Sequence, residues 1–344
     1  MQSLWTSAVA GWCRRFALAG GVLVGVQCSG PPDNAFADYL SRVQRLLETD
    51  VSVDAEGSLP RYPNRGLLRR DVASLSIDVL DFIELHDCDL AGVVGFRNSP
   101  LGRLQTPSQR LGYESEWLAG ARSCASDGVG WLEPLIAKKE AALPAVFWNA
   151  TFAGEEFARL LGRFEASETP GAGYLLRELG DAYATLATDR FDLGGFERVL
   201  GALGSIPWLG QARRAWDLER RHLDAVAGAL TEGLEGVCRN GAPTPKSRAL
   251  VNVFQRYYVD ALQPGIARRH GTDRDAVAAV AALVGLFGGD VPGEFAVWYG
   301  QVLAPEPRRS EWSRLASVRL EHAAAWNRLF ARCGVDPARG LAQH

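Results

Sequence analysis

The sequence lacks an apolar run long enough to cross a membrane. The uncharged stretch from Phe16 to Val26 has 11 residues, whereas a spanning helix needs roughly 20. The chain also lacks a basic excess, since its formal net charge is −3, and nucleic-acid-binding proteins usually have a basic stripe. We therefore expect no spanning helix and no nucleic-acid partner.

Lysine is scarce as well. Arginine provides nearly all of the 37 basic residues, and lysine occurs at positions 138, 139 and 246 alone. We attribute this imbalance to genome composition and not to the chemistry of a site.

Sequence motifs of common active sites are missing. The chain has no G-x-S-x-G, H-E-x-x-H, Walker loop or G-x-G-x-x-G, and without a C-x-x-C its cysteines are too far apart for a zinc site. Glu219 and His222 have the Glu-x-x-His spacing of two-metal helical bundles, but such sites need a second copy on another helix. We expect no metal and no cofactor, and we expect His222 to lie on a helix surface.

The first 28 residues, in contrast, have the pattern of an export signal. Arg14 and Arg15 precede the apolar run, and Cys28 with a polar segment follows it. We predict that residues 1–27 are a signal peptide, and that Cys28 begins the mature chain, 28–344, as the lipid anchor of a periplasm-facing envelope lipoprotein. The alternative is cleavage after the A-x-A triplet at 35–37, which would give a soluble periplasmic protein.

Four further cysteines lie in the exported part, and an oxidising compartment favours disulfides over free thiols. Three pairings are possible. We favour Cys88 with Cys124 and Cys238 with Cys333, because each pair then closes within one half of the chain.

The apolar residues recur every three or four positions, and no stretch alternates convincingly with period two. The predicted fold class is therefore all-α, a multi-helix bundle without a substantial sheet. The turn-forming residues 165–173 either separate two helical halves, 33–165 and 170–340, or form a long loop within one bundle.

Several helices can be predicted in more detail. Asp33 is a candidate N-cap, residues 75–88 should form a deeply buried helix because their apolar face is wide, and residues 276–287 should form a short core helix. Thr106 and Gln109 fit a capping box with Pro107 between them. Ser310 should begin a final helix, with Leu320 among its inward residues, that ends at Gly334.

The densest run of polar side chains lies between residues 97 and 114. Arg110 and Glu114 lie four apart on one helix face, as do Gln109 and Tyr113. This surface could hold an anion through an arginine fork, or it could dock the preceding loop through capping and arginine–carbonyl hydrogen bonds. We favour the structural role. The cluster comprises Arg97, Asn98, Ser99, Gln109, Arg110, Tyr113 and Glu114.

The same region resembles a known family. Its blocks Leu80-Asp81-Phe82, His86-Asp87-Cys88, residues 97–102 and residues 107–114 are similar to the proteobacterial lipoprotein-like family catalogued as domain of unknown function 3080. The similarity extends from the signal to Cys333-Gly334. It implies an envelope protein and supplies no activity.

We expect a non-catalytic envelope module that binds or scaffolds an envelope protein or a cell-wall component. One alternative is an envelope hydrolase or lyase with a site assembled around residues 81–114, from Asp81, His86, Arg97, Arg110 and Glu114. Another is a small-molecule binder with an aromatic pocket between helices.

Overall fold

The protein is described by a computed structural model that covers residues 32–73, 77–88, 90–162, 172–188, 190–305 and 309–336. Within these ranges the chain forms helices and no strand, which confirms the all-α prediction. Cys28, Leu75 and most of the segment 165–173 lie outside the described residues.

Most of the described helices follow one another with short connections, and the longest described connections are residues 48–64 and 233–244. A π-helical segment, Phe254–Leu262, joins two of them without a break. The helices are α1 (Pro32–Leu47), α2 (Arg65–Leu68), α3 (Val79–Glu84), α4 (Leu90–Asn98), α5 (Pro100–Arg103), α6 (Pro107–Ser126), α7 (Glu133–Ala150), α8 (Glu155–Gly162), α9 (Gly173–Thr185), α10 (Leu193–Gly204), α11 (Trp208–Glu232), α12 (Pro245–Val253), α13 (Gln263–Gly285), α14 (Gly293–Val302) and α15 (Glu311–Cys333).

Local capping chemistry sets several helix ends. The Thr106 hydroxyl accepts from the backbone N–H of Gln109, and the Gln109 side chain accepts in return from the N–H of Thr106, which confirms the predicted capping box. Ser310 begins α15, and Gly334 ends it with a φ of 61°, the left-handed conformation that favours glycine.

Two helix starts were predicted in the wrong place. Helix α1 begins at Pro32, so Asp33 lies inside the helix and is not its N-cap. Helix α13 begins at Gln263, because the chain leaves the π-helical segment already helical and needs no new nucleation. The predicted core helix is therefore the second half of a longer helix, and it ends at Gly285.

The prediction of a deeply buried helix over residues 75–88 was wrong. The described part forms only the six-residue α3 and a 3₁₀ turn at Leu85–Asp87. Val79, Leu80 and Ile83 are 74%, 73% and 61% exposed, whereas Leu85 is buried. A helix this short at the edge of the bundle contacts neighbours on one side, so it cannot bury a wide apolar face.

The buried apolar residues of the described ranges form two clusters. The first surrounds Trp148, whose ring stacks on Phe152 with centroids 4.7 Å apart and meets the ring of Phe287 edge-on at 4.9 Å. It takes residues from both sides of segment 165–173, and the division into two halves stays a prediction. The second cluster lies between α1, α12 and the ends of α11 and α15. Leu320 of α15 faces outward from it and is 73% exposed, contrary to prediction.

Helices α11, α13 and α15 each run from one cluster into the other, and they hold charged side chains that are buried or partly buried. Arg213 donates to both oxygens of Glu311, each at 2.6 Å. Arg319 donates to both oxygens of Glu219, at 2.6 and 3.0 Å. Asp273 accepts from the indole N–H groups of two tryptophans, at 3.0 and 2.7 Å. We call these five residues the polar belt.

The cysteines form the predicted pairs. The Cα atoms of Cys88 and Cys124 are 5.8 Å apart, and those of Cys238 and Cys333 are 5.3 Å apart, both within the range for disulfides. The first bond ties the end of the α3 segment to α6, and the second ties the loop after α11 to the end of α15. Within the described ranges, no helix combines the length and the apolar character needed to cross a membrane.

Candidate functional site

Four of the predicted polar residues line one cavity, which we call the basic cavity. It has a volume of about 470 Å³ and lies between the α3 segment, α4, α6 and α7. Its basic side chains are Arg97, Arg103, Arg110 and Lys139, and its apolar wall consists of Ile77, Val79, Phe82, Val94, Trp117 and Leu135.

A buried carboxylate lies beneath the basic residues. Glu114 of α6 is 3% exposed, and one of its oxygens pairs with Arg110, one helical turn earlier. Its other oxygen accepts from the ammonium group of Lys139, which reaches across from α7 and is 8% exposed. The two cations therefore hold this carboxylate from two helices.

The ring of Tyr113 lies among three cations. Its centroid is 5.9 Å from the guanidinium carbon of Arg97, 5.2 Å from that of Arg110 and 5.1 Å from the Lys139 nitrogen. The face of an aromatic ring attracts cations without neutralising them. Burial raises the pKa of Tyr113 to about 12, so the phenol keeps its proton at neutral pH.

The cavity as a whole is positive. Its four basic side chains face two carboxylates, those of Asp78 and Glu114, which leaves an excess of two positive charges. Burial lowers the pKa of Lys139 against the opposing effect of Glu114. Burial and the nearby Arg110 also lower the pKa of Arg97. A further negative charge in the cavity would stabilise the charged forms of both Lys139 and Arg97.

Helix α4 places Arg97 in this site. The guanidinium of Arg97 donates to the carbonyl oxygen of Gly102 in α5, so the predicted preceding loop consists of two helices. A Cβ atom at residue 102 would lie 2.1 Å from the carbonyl oxygen of Phe96. Only glycine permits this close approach of α5 to α4.

The other predicted cluster residues have different roles. Asn98 lies at the rim of the cavity. The Ser99 hydroxyl accepts from the backbone N–H of Gly102 and caps α5. Gln109 belongs to the capping box of α6 and faces an apolar groove on the opposite side of α4, which Phe96 also lines. Ser99 and Gln109 thus each contribute to a helix cap.

Lys139 was missed by the sequence reasoning, although a signal was present. Lys139, Leu143 and Val146 lie at intervals of four and three residues, so they share a face of α7, and all three are buried. A lysine on an apolar helix face, in a chain with few lysines, indicates a buried ion pair.

The residues of the catalytic alternative do not all come together. Arg97 and Arg110 line the basic cavity, whereas Glu114 is not a lining residue and is linked to the cavity by its pairs with Arg110 and Lys139. Asp81 and His86 are not among the lining residues. His86 is exposed. Among the described residues, no three His, Cys, Asp or Glu side chains cluster closely enough to hold a metal ion.

The prediction that His222 lies on a surface was wrong, because α11 packs between α1 and α15. His222 is 8% exposed, and its ring lies 5.7 Å from that of Phe36. Its Nδ1 bonds with the carbonyl oxygen of Leu218 at 2.9 Å, whereas Glu219 pairs with Arg319. The Glu-x-x-His spacing thus serves two separate structural contacts.

Comparison with known proteins identifies the family. The model described as Protein of unknown function (DUF3080) matches residues 36–337. The chain belongs to this family. In this DUF3080 protein the match includes the whole basic cavity, both disulfides and the polar belt. No curated protein and no solved structure matches the chain.

Proposed function

We propose that this DUF3080 protein is an exported envelope protein, tethered through a lipid on Cys28, that binds a negatively charged ligand in the basic cavity without transforming it. The supporting observation is the excess of two positive charges around Tyr113 in a cavity that is open to a ligand.

Electrostatics favours an anion there. The buried cations are partly removed from water, and the cost of burying a charge is offset by a paired charge. Arginine also presents a planar fork that matches a carboxylate or phosphate. Arg103 is exposed at the rim, where it can meet a ligand as it enters.

Binding fits the site better than catalysis because its ionisable groups are already engaged. The carboxylate of Glu114 is held by Arg110 and Lys139, and the phenol of Tyr113 keeps its proton. None of these groups is placed to accept a proton from a ligand.

Export is supported by two independent features. The first 28 residues have the pattern of a lipoprotein signal, and the two cysteine pairs lie at disulfide distance, as is usual for proteins of oxidising compartments. Metabolic labelling with an alkyne fatty acid tests the anchor directly. We expect label on the wild-type protein and none on Cys28→Ala; equal labelling of both would contradict it.

The anion site can be tested with inorganic phosphate as the probe. A ligand that binds only the folded state raises the melting temperature. Phosphate at constant ionic strength should therefore raise the melting temperature of the wild type more than the melting temperature of Arg103→Gln. Lys138→Gln is the matched control, because Lys138 is an exposed cation beside Lys139 but lies outside the cavity. An equal shift in all three proteins would indicate a general salt effect and contradict the proposal.

A further inference from the structure

We infer that the ligand of the basic cavity is an anionic amphiphile, with a head that meets the cations and an alkyl chain that lies along α3. This inference rests on the proposed function and names its ligand class.

The apolar wall of the cavity is unusually exposed. Val79 is 74% exposed and Phe82 is 36% exposed, and both line the cavity. Leu80 and Ile83, on the same short helix, are more than half exposed. Contiguous apolar surface of this kind usually marks a binding site.

The wall is held in place from behind. Leu85 is buried in the first cluster, Cys88 is bonded to Cys124, and the Trp131 indole donates to the Glu84 carboxylate at 2.9 Å. These contacts fix the segment on one side and leave Val79 and Phe82 facing the cavity. The apolar side chains of Val79 and Phe82 therefore stay apart from the basic side chains, and the cavity between them is preserved.

The two halves of the cavity require different chemistry from one ligand. A purely polar anion would leave the apolar wall of Val79 and Phe82 in water. A purely apolar ligand would remove water from the guanidinium groups of Arg97 and Arg103 without pairing their charges, which is costly. A head with one or two negative charges joined to an alkyl chain satisfies both. The excess of two positive charges sets the upper limit on the charge of the head.

Calorimetric titration of the purified exported protein with alkyl phosphates tests this. Inorganic phosphate, butyl, hexyl and octyl phosphate form the series, used as monomers, and octyl glucoside is the uncharged probe. We expect affinity to rise by up to roughly fourfold per methylene group that is buried, and we expect octyl glucoside to bind at least tenfold more weakly than octyl phosphate.

Two variants, one on each side of α4, test where the alkyl chain of the ligand binds. Phe82→Ser should flatten the dependence of affinity on the length of the alkyl chain. Phe96→Ser is the matched control, because Phe96 is 49% exposed and lines the apolar groove on the other side of α4. Both phenylalanines are partly exposed, so both variants should fold, and Val79→Ser provides a second test at a residue with less buried surface.

The possible failures are distinguishable. Phosphate binding that does not strengthen with chain length, or a loss caused by Phe96→Ser in place of Phe82→Ser, would overturn the inference and leave the anion site intact. Absence of binding by every phosphate would overturn the proposed function itself. Vesicles containing phosphatidylglycerol separate two sources: capture that depends on Phe82 identifies a membrane lipid, and monomer binding without capture identifies a free amphiphile.

Discussion

Lys139 and Lys138 are adjacent in sequence but differ fully in environment. Lys139 is buried and pairs with Glu114, whereas Lys138 points to solvent. The chemistry of the two side chains is the same, so any difference between their variants reports the environment alone.

Substitution of Lys139 should therefore be costly. Lys139→Met leaves Glu114 buried with Arg110 as its remaining cation, and removal of one partner from a buried pair typically costs about 3 to 5 kcal/mol. Because Arg110 remains as a partner of Glu114, we expect the free energy of unfolding, measured with urea, to fall by about 3 kcal/mol, the lower end of this range. Lys138→Met should change stability by less than about 0.5 kcal/mol; equal effects would show that the pair contributes nothing.

His322 is a second residue whose state is set by burial. It is 1% exposed, and its Nε2 lies 2.9 Å from the Tyr39 hydroxyl and 3.2 Å from the Trp326 indole nitrogen. The indole N–H can only donate, and its shorter bond goes to the Tyr39 hydroxyl at 2.8 Å. Burial lowers the pKa of His322 to about 3.

This lowered pKa makes the fold sensitive to acid. The unfolded chain protonates His322 near pH 6.5 and the folded chain only near pH 3, so stability is complete above about pH 6.5 and falls as the pH drops toward 3. Between pH 7 and 4.5 we expect His322 to account for a loss of roughly 2 to 3 kcal/mol, measured by urea unfolding. Over this pH interval, the free energy of unfolding of His322→Gln should fall less than that of the wild type. The free energy of unfolding of the exposed-site control His86→Gln should fall as much as that of the wild type. The same loss in all three would contradict the assignment.

At the scale of the element, the α3 segment, residues 77–88, depends on one disulfide bond for its position. Three anchors hold it, and the bond between Cys88 and Cys124 is the covalent one. Elements with few buried contacts open at low free energy. The apolar wall of the basic cavity thus depends on a bond at its end.

Removal of the disulfide bond should increase local opening of the segment that forms the apolar wall of the basic cavity, without a similar effect elsewhere. In the double variant Cys88→Ser with Cys124→Ser, we expect faster amide hydrogen exchange over residues 77–88. The double variant Cys238→Ser with Cys333→Ser is the control, and its 77–88 exchange should match the wild type. Unchanged protection in the first variant would show that Leu85 and Glu84 suffice as anchors.

Local signals predicted some elements well and others not at all. The helix starts at Thr106 and Ser310 and the end at Gly334 depend on side chains within three residues, which the sequence displays directly. Helix α4 was not predicted, because Gly92 and Gly95 weaken its intrinsic propensity and packing against α6 decides its structure. The same limit explains the error at α3, since spacing alone does not show whether a neighbour exists to cover an apolar face.

The site divides in the same way. The pair of Arg110 and Glu114 follows from a spacing of four residues on one helix. The pair of Glu114 and Lys139 depends on how α6 packs against α7, and the position of Arg97 depends on the unpredicted α4. Four cavity residues were therefore predicted as a group, while the buried lysine that completes the group was not.

At the scale of the molecule, the two apolar clusters of the described residues share three helices. Helix α11 places Trp216 in the first cluster and Leu230 in the second, and α15 connects the clusters through Leu315 and Leu329. A continuous helix transmits loss of structure from one cluster to the other.

The described part should therefore unfold as one unit. Leu160→Ala in the first cluster and Leu329→Ala in the second should each cost about 2 to 5 kcal/mol, and both should lower the temperature of one common transition in scanning calorimetry. The ratio of calorimetric to van't Hoff enthalpy should be near one. Two separated peaks, each sensitive to one variant, would show that the clusters unfold independently.

The polar belt limits how this family can diverge. Arg213 and Glu311 lie on different helices, as do Glu219 and Arg319, and a substitution at one position strands the opposite charge in the interior. An apolar pair of similar volume is tolerated far better than a single unpaired charge. Evolutionary change at these four positions should consequently occur in coordinated steps, and homologous chains should differ there by whole pairs or not at all.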